Sequence, residues 1–271
     1  MKKFSTLHMP LLSFFSKELY TDVAMNWRGV NFLYLLLLLA ACWIPVMFGI
    51  NKSFSQFMED EVPTVVNQVP EINVVNGEAS IAEPQPYYIK NLKDNKAFAI
   101  IDTTGTITSL ENLDATILIT KTQVVMRESP HQMRIFSLAG MKNFTLTREK
   151  LTQWANIFKK ILIIALYPAA VTGSFIFRII QALIYAAIGL LFASWCNVKL
   201  SYDTLIRLAV VAVTPCVIIN TVLVSAGTTF PSAYFIYFMM AMVYLLIGVK
   251  ATADEIAKQH QAQPPEQNEA I

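Results

Sequence analysis

From Phe158 to Trp195 the chain runs almost without charge, only Lys159, Lys160 and Arg178 interrupting it. At about 1.5 Å rise per residue this stretch is far longer than one crossing of a hydrocarbon core about 30 Å thick. It has to break or bend. Pro168, which removes a helix hydrogen bond, and Gly173-Ser174 are the expected places. Three further apolar runs, Phe32 to Ile50, Leu205 to Val224 and Tyr234 to Val249, are each about the length of one span. Only 15% of the 271 residues are charged, against roughly 25% in soluble domains. The solvent implied is a bilayer.

The turn from Asn197 to Pro215 organises the second half of the chain. It places Lys199, Asp203 and Arg207 between two apolar runs and so reads as a hinge between membrane helices. Two topologies follow. If the long run breaks near Thr172 to Arg178 there are five spans, and the segment after Val249 lies outside. If Phe158 to Val171 only lies against or re-enters the outer leaflet, there are four, and that segment lies inside. Four spans put Lys199, Arg207, Lys250 and Lys258 in the cytoplasm, as the positive-inside rule asks. Five account more directly for the apolar length, because lipid tolerates no unpaired backbone outside helices, and length tips the reading to five.

Ahead of the first span, Leu11, Leu12, Phe15, Leu19 and Val23 recur at helical spacing opposite Ser16, Lys17, Glu18 and Asp22. Such an amphipathic helix either lies on the membrane surface or packs on the protein itself. Lys2, Lys3, Lys17 and Arg28 precede the first span and Glu59, Asp60 and Glu61 follow it, which puts the N-terminus in the cytoplasm. Leu39-Ala40-Ala41-Cys42 fits a lipoprotein cleavage box. About thirty residues precede it, however, and Trp43 to Ile50 stays apolar, so an uncleaved anchor is the better reading.

Between Asn51 and Leu146 apolar and polar residues alternate. Asn76-Gly77 between Glu71–Val75 and Glu78–Ala82 is a strong hairpin signal, since both turn residues tolerate positive φ. A second hairpin is expected from Ala97–Ile101 and Thr106–Leu110 around Asp102-Thr-Thr-Gly105, and a third from Ala115–Thr120 and Gln123–Arg127. Met133 to Leu138 adds a strand. Thr147 then starts a helix, with Arg148 and Glu149 in its first turn.

Several function classes drop out. A net charge of +2 with scattered basic residues excludes a nucleic-acid interface. Cys42, Cys196 and Cys216 all lie in or beside apolar runs, so no disulfide framework holds the middle segment. His8, His131 and His260 show no ligand spacing, and neither a metal nor a cofactor is expected. Asp102-Thr-Thr-Gly105 has one threonine too many for an aspartic-protease motif and has no second copy, so a turn whose aspartate bonds its own backbone is the plainer reading.

Three candidate polar membrane contacts remain: Arg178, Gln181 and Asn220. Arg178 and Gln181 are three apart and share a helix face. A buried arginine costs roughly 2.5–3.5 kcal/mol at a span centre on insertion scales, so it must face protein, water or an interface. It is either a contact for an anionic substrate or lipid headgroup or the end of a cytoplasmic loop. Asn220, with Thr214 and Thr221, suits hydrogen bonding between helices. Ala186, Gly189 and Ala193 form a small-residue face suited to close helix packing. No catalytic residue is assigned and no enzyme is expected.

Several phrases resemble a known family: Ser13-Phe14-Phe15-Ser16 with Leu19-Tyr20-Thr21-Asp22-Val23, Pro70-Glu71-Ile72-Asn73-Val74, Gly77-Glu78-Ala79-Ser80, Pro86-Tyr87, Ile100-Ile101-Asp102-Thr103-Thr104-Gly105, Lys199-Leu200-Ser201-Tyr202 and Thr214-Pro215. Together they resemble a bacterial domain-of-unknown-function family of polytopic membrane proteins, some of which carry a maltodextrin-utilisation label. The C-terminal membrane block is distantly similar to the Yip family of trafficking proteins. The resemblance implies a fold and no catalytic residues.

The sequence reading is therefore a membrane α-helical bundle of four or five spans with an inserted small β-rich extracytoplasmic domain. Residues 1–30 form a cytoplasmic segment with an amphipathic helix, 31–50 the first span and 51–150 the β-rich domain. Residues 151–250 form the C-terminal helical block and 251–271 a disordered polar tail. The location expected is the bacterial cytoplasmic (inner) membrane, with several passes. The expected partners are membrane lipid and an envelope or transporter protein, and the role is a non-enzymatic accessory, scaffold or sensor. The other class considered is a small transporter or permease component, for which no internal repeat is seen.

Overall fold

The computed structural model describes residues 3–90, 96–111, 113–129, 132–228 and 231–262. It divides into two compact units, Met1–Ile50 with Ile164–Ile271, and Asn51–Ile163. The helical unit begins with a 3-10 turn Thr6–His8, α1 (Met9–Leu12) and α2 (Lys17–Asn26). It continues with α3 (Phe32–Asp60), whose last residues belong to the other unit. The second unit holds α4 (Val62–Val66) and eight strands, β1 (Ile72–Val75), β2 (Glu78–Ser80), β3 (Tyr87–Lys90), β4 (Ala97–Asp102), β5 (Ile117–Thr120), β6 (Gln123–Ser129), β7 (Gln132–Ser137) and β8 (Asn143–Leu146). The chain returns through α5 (Arg148–Trp195), α6 (Tyr202–Ser225) and α7 (Ala233–Ala262).

Among the described residues four helices are long and apolar enough to cross a membrane: α3, α5, α6 and α7. Helix α5 is unbroken from Arg148 to Trp195, so the turn near Thr172 to Arg178 that five spans require is absent. Nor does the chain leave the helix at Phe158 to Val171. Pro168 sits inside α5, as Pro45 and Pro215 sit inside α3 and α6. Away from water a break would leave several backbone groups unpaired, whereas an embedded proline forfeits one bond, and continuity wins.

Helix α6 is the post of the helical unit. Every residue from Thr204 to Val217 is buried, so it has no open flank along that stretch. Its start is capped by Ser201 Oγ, which accepts from the Thr204 N–H. Asn197, at φ 51°, closes the end of α5 in the left-handed conformation that asparagine tolerates. Ala182, Ala186, Gly189 and Ala193 recur at helical spacing on the buried face of α5. A Cβ on Gly189 would come 3.2 Å from Leu205 Cδ2, so the small face is what allows α5 and α6 to approach. The opposite flank of α5, with Ile176, Phe177, Ile180 and Ile184 exposed, is a belt that water would penalise.

The amphipathic segment packs on protein. Met9, Leu19, Tyr20 and Val23 are fully buried against α6 and α7, and the Tyr244 hydroxyl donates to the Phe14 carbonyl at 3.2 Å. Helix α7 also runs further than the sequence suggested. Residues 251–262 are helical where a disordered tail was expected, with Val249 and Thr252 buried and the Thr252 hydroxyl bonding the Gly248 carbonyl. Residues 263–271, the rest of that expected tail, lie outside the described residues.

The second unit has two sheets, β2-β1-β8 and β3-β4-β5-β6-β7. The Asn76-Gly77 hairpin forms as read, at φ 50° and 82°, and β8 adds to its other side. The expected hairpin around Asp102 does not form. Strand β4 pairs antiparallel with β3 and parallel with β5, and residues 106–110 are not a strand. The cause is Asp102 itself: its buried carboxylate accepts from Thr104 and from the Ile107 N–H, curling the chain away from the ladder. Burial by itself would raise this carboxyl, but those donors hold it below the ordinary range. Beyond the curl, Arg127 on β6 gathers the loop by donating to the carbonyls of Leu110 and Leu113. The β5–β6 hairpin and β7 complete the larger sheet, while His131 lies outside the described residues.

A test of the N-terminal packing lies at Gly248, where an added Cβ would come 2.6 Å from Tyr20 Cδ1. Gly248→Ala is expected to destabilise the docked segment by about 1–3 kcal/mol, the usual range for overpacking. Hydrogen exchange of the full chain should report faster exchange at Leu19–Ala24, with α6 unchanged. Unaltered exchange in α2 would show that this contact does not hold it.

Candidate functional site

The polar residues of the helical unit gather in two places. The first surrounds Arg178. Its Nη1 donates to Gln181 Oε1, and Gln181 Nε2 donates to the Tyr185 hydroxyl at 2.7 Å, forming a relay along one face of α5. The guanidinium also lies over the Phe177 ring, 5.7 Å from its centroid. Its electrostatic neighbours come from all four long helices: Cys42 on α3, Tyr185 on α5, Cys216 on α6 and Tyr234 on α7. One turn before it, Ser174 Oγ accepts from the Trp43 indole at 2.9 Å, tying α3 to α5. The hydroxyls of Tyr34 and Thr214 meet at 3.2 Å, tying α3 to α6.

Arg178 and Gln181 are thus together and half-buried. Asn220 stands one turn beyond Cys216, also half-buried, and among the described residues makes no side-chain hydrogen bond to either. The ion pairs among the described residues are Lys96–Asp114, Lys121–Glu78 and Arg134–Glu128. Arg178 is in none of them. The burial of α6 also changes at this level: Val217 is the last buried residue, and Ile218 to Val224 are half-buried or exposed. Arg178 therefore stands where the closed packing begins to open.

The second place is a clamp on the N-terminal segment. Asp22, 2% exposed, accepts from the backbone N–H groups of Lys3 and Phe4, from Asn26 Nδ2 at 2.7 Å and from the Trp27 indole at 2.8 Å. Arg207 reaches across from α6. It donates to the carbonyls of Ala24 and Gly29, both at 3.2 Å, and to Thr204 Oγ1 at 2.8 Å. Cations suit helix C-termini because the last carbonyls carry partial negative charge, and Arg207 takes that place for α2. A cavity of about 450 Å³ lies beside the clamp, with Lys3, Lys17 and Asp22 on one side and Asp254, Glu255 and Lys258 on the other. The N-terminal segment and the last turns of α7 therefore meet at one end of the bundle.

Comparison with known proteins decides the family. The model of the family described as "Protein of unknown function (DUF1189)" matches residues 10–249. The chain belongs to this family. Because the match runs from Pro10 in α1 to Val249 in α7, it takes in the docked N-terminal segment, the β-rich unit and all four long helices. A protein of Rickettsia prowazekii (strain Madrid E), named "Uncharacterized protein RP489", is 29% identical over 111 residues. Those residues are 37% of this chain and 38% of the Rickettsia protein, so the chain spans well under half of that relative's length. No solved structure matches the chain.

Sequence pattern found the Arg178–Gln181 pair because helical spacing alone aligns it. It missed what crosses between helices: Cys42, Cys216, Tyr34 and the clamp residues Asp22 and Arg207. In the sequence Asp22 is one more polar residue on an amphipathic helix, and Arg207 one more charge near a turn. The signal was their position, a carboxylate next to Trp27 and a cation buried deeper than the end of its helix.

Asp22 yields a signed prediction. Burial alone would raise its carboxyl, but Trp27, Asn26 and the N–H groups of Lys3 and Phe4 outweigh burial and hold it below the ordinary 3.8. A depressed folded value means that this stabilisation is complete above the ordinary value and is lost as pH falls through the folded one. Protection of residues 3–26 from proteolysis is therefore expected to be flat from pH 7 to about pH 4 and to fall below that. Asp22→Asn should lower protection at neutral pH, by about 1–3 kcal/mol, and flatten the acid step. An acid step of unchanged size in the variant would show that Asp22 does not carry it.

Proposed function

We propose that this chain is a multi-pass protein of the bacterial cytoplasmic membrane with four spans, acting as a non-enzymatic accessory, scaffold or sensor. The observation that carries the reading is the enclosure of α6 from Thr204 to Val217, which makes the helical unit a solid anchor. A permease needs helices that line a passage, and this stretch of the central helix has no face left to line one. Recognition then falls to the β-rich unit, placed outside the cytoplasm. Its larger sheet ends at β7, where Ile135 is 60% and Phe136 46% exposed. An open edge with exposed apolar side chains suits an extended segment of an envelope protein, which can add to it as another strand. The maltodextrin-utilisation label of some similar bacterial proteins makes an assembly for maltodextrin uptake the first candidate partner.

The four-span count draws support from the cavity shared by Lys3, Lys17, Asp254 and Lys258. Segments at one end of a bundle are joined by an even number of crossings. Together with the lysines and arginine before α3 and Lys199 in the 196–201 turn, this supports a cytoplasmic position for that end. The test replaces Cys42, Cys196 and Cys216 by alanine and introduces one cysteine at a time. A membrane-impermeant maleimide should label Gln123→Cys in intact spheroplasts and Gln261→Cys only after permeabilisation. Labelling of the Gln261→Cys variant in intact spheroplasts would refute four spans.

The accessory role is tested with a photoreactive amino acid placed at Phe136 in native membranes, with Glu111 as a control position. One reproducible protein adduct at Phe136, missing at Glu111, is the expected result. Adducts confined to lipid or to the chain itself would defeat the docking reading and leave uptake assays as the next step.

A further inference from the structure

Arg178 poses a problem that the accessory role leaves unsolved. A guanidinium is tolerated among membrane helices only where charge or hydrogen bonds answer it. Here one nitrogen is answered by the neutral Gln181, and Phe177 offers a ring face. None of the ion pairs among the described residues neutralises it. Arg207 on α6 presents the contrast. Its two terminal nitrogens are committed to Ala24, Gly29 and Thr204, so it is a structural bolt.

The surroundings of Arg178 are built for a polar guest. Gln181 is itself held by Tyr185, which fixes the guanidinium's direction through a two-step relay. Cys42, Cys216 and Tyr234, on three other helices, interact with it electrostatically, and none of these side chains carries negative charge in its ordinary form. Access comes from the change in α6, buried through Val217 and only partly covered from Ile218 onward. The side from which a guest would enter is thus the end where α6 finishes at Ser225, away from the Ser201 cap at its start.

We propose that Arg178, oriented by Gln181 and Tyr185, is the anchoring cation of an intramembrane binding site for a phosphate- or carboxylate-bearing group. A planar guanidinium with donors to spare is suited to forked hydrogen bonding of such an anion, and low polarity around it strengthens the contact. The group arrives either as the headgroup of an anionic lipid or as a small anion from solution. Asn220 and Thr221 belong to the half-covered part of α6, beyond Val217.

The test uses the full chain purified in detergent and native mass spectrometry with phosphatidylglycerol against phosphatidylcholine, alongside thermal unfolding with inorganic phosphate. Wild-type protein should retain phosphatidylglycerol preferentially. Arg178→Gln should reduce that preference roughly tenfold or more, the weight of a lost charge-assisted hydrogen bond, and Arg178→Lys should restore part of it. Lys199→Gln, in the turn between α5 and α6, is the control expected to bind as wild type. If phosphatidylglycerol shows no preference but phosphate raises the melting temperature of wild type and not of Arg178→Gln, the site is real and its guest comes from solution. No preference with no phosphate effect, or the same effects in Arg178→Gln, would overturn the proposal. Should Arg178→Gln fail to fold, Gln181→Met and Tyr185→Phe remove only the orienting relay, and binding equal to wild type in both would equally overturn it.

Discussion

A helix covered on every side has to be surrounded before it is stable, and α6 is such a helix from Thr204 to Val217. Most of the bundle's geometry follows from covering it. Helix α5 supplies one wall through its small-residue face, with Gly189 against Leu205. Helix α7 supplies another, with Leu245 and Val249 fully buried, and the N-terminal segment covers what those two leave open. In lipid the apolar contacts bring little transfer energy, because lipid tails are as apolar as the side chains. Packing and hydrogen bonds must then supply specificity. Alongside the buried Met9, Leu19, Tyr20 and Val23, polar contacts fix the N-terminal segment: Asp22 with four donors, Arg207 on two backbone carbonyls, Tyr20 on Ser13 and Tyr244 on Phe14.

What the sequence made legible was whatever depends on near neighbours. The Asn76-Gly77 hairpin and the β5–β6 hairpin were readable because two turn residues decide each of them. The small face of α5 and the Arg178–Gln181 pair were readable because helical spacing decides them. The misreadings came where a distant or competing partner decides. Residues 106–110 alternate like a strand, yet Asp102 captures the Ile107 N–H and Arg127 the carbonyls beyond, so β4 finds β5 instead. Pro168 and Gly173 look like a break, but α5 runs through both, forgoing only the bond that the proline cannot donate. Residues 251–262 look like a tail until Val249 and Thr252 are seen to be buried.

The candidate site divides along the same line. Its centre could be read from one helix, but its neighbours could not, because Cys42, Cys216 and Tyr234 lie on three others and no local spacing joins them. The family match does not change this, since it spans the whole architecture without naming a chemistry. Function has to be argued from the site and not from the fold.

The two arginines of the bundle show how that argument runs. Both are in helices of spanning composition, Arg207 buried and Arg178 half-buried. Arg207 stands near the start of its helix, where carbonyls at the end of α2 can meet it, and its terminal nitrogens are used up in holding the chain together. Removing it would leave the buried Ala24 carbonyl without this donor, a cost carried by stability. Arg178 is oriented by side chains and, among the described residues, meets no backbone carbonyl and no carboxylate, only the amide oxygen of Gln181. A charge kept at such cost and satisfied so sparingly is held ready for something outside the chain, and the opening of the bundle beyond Val217 gives that something a way in.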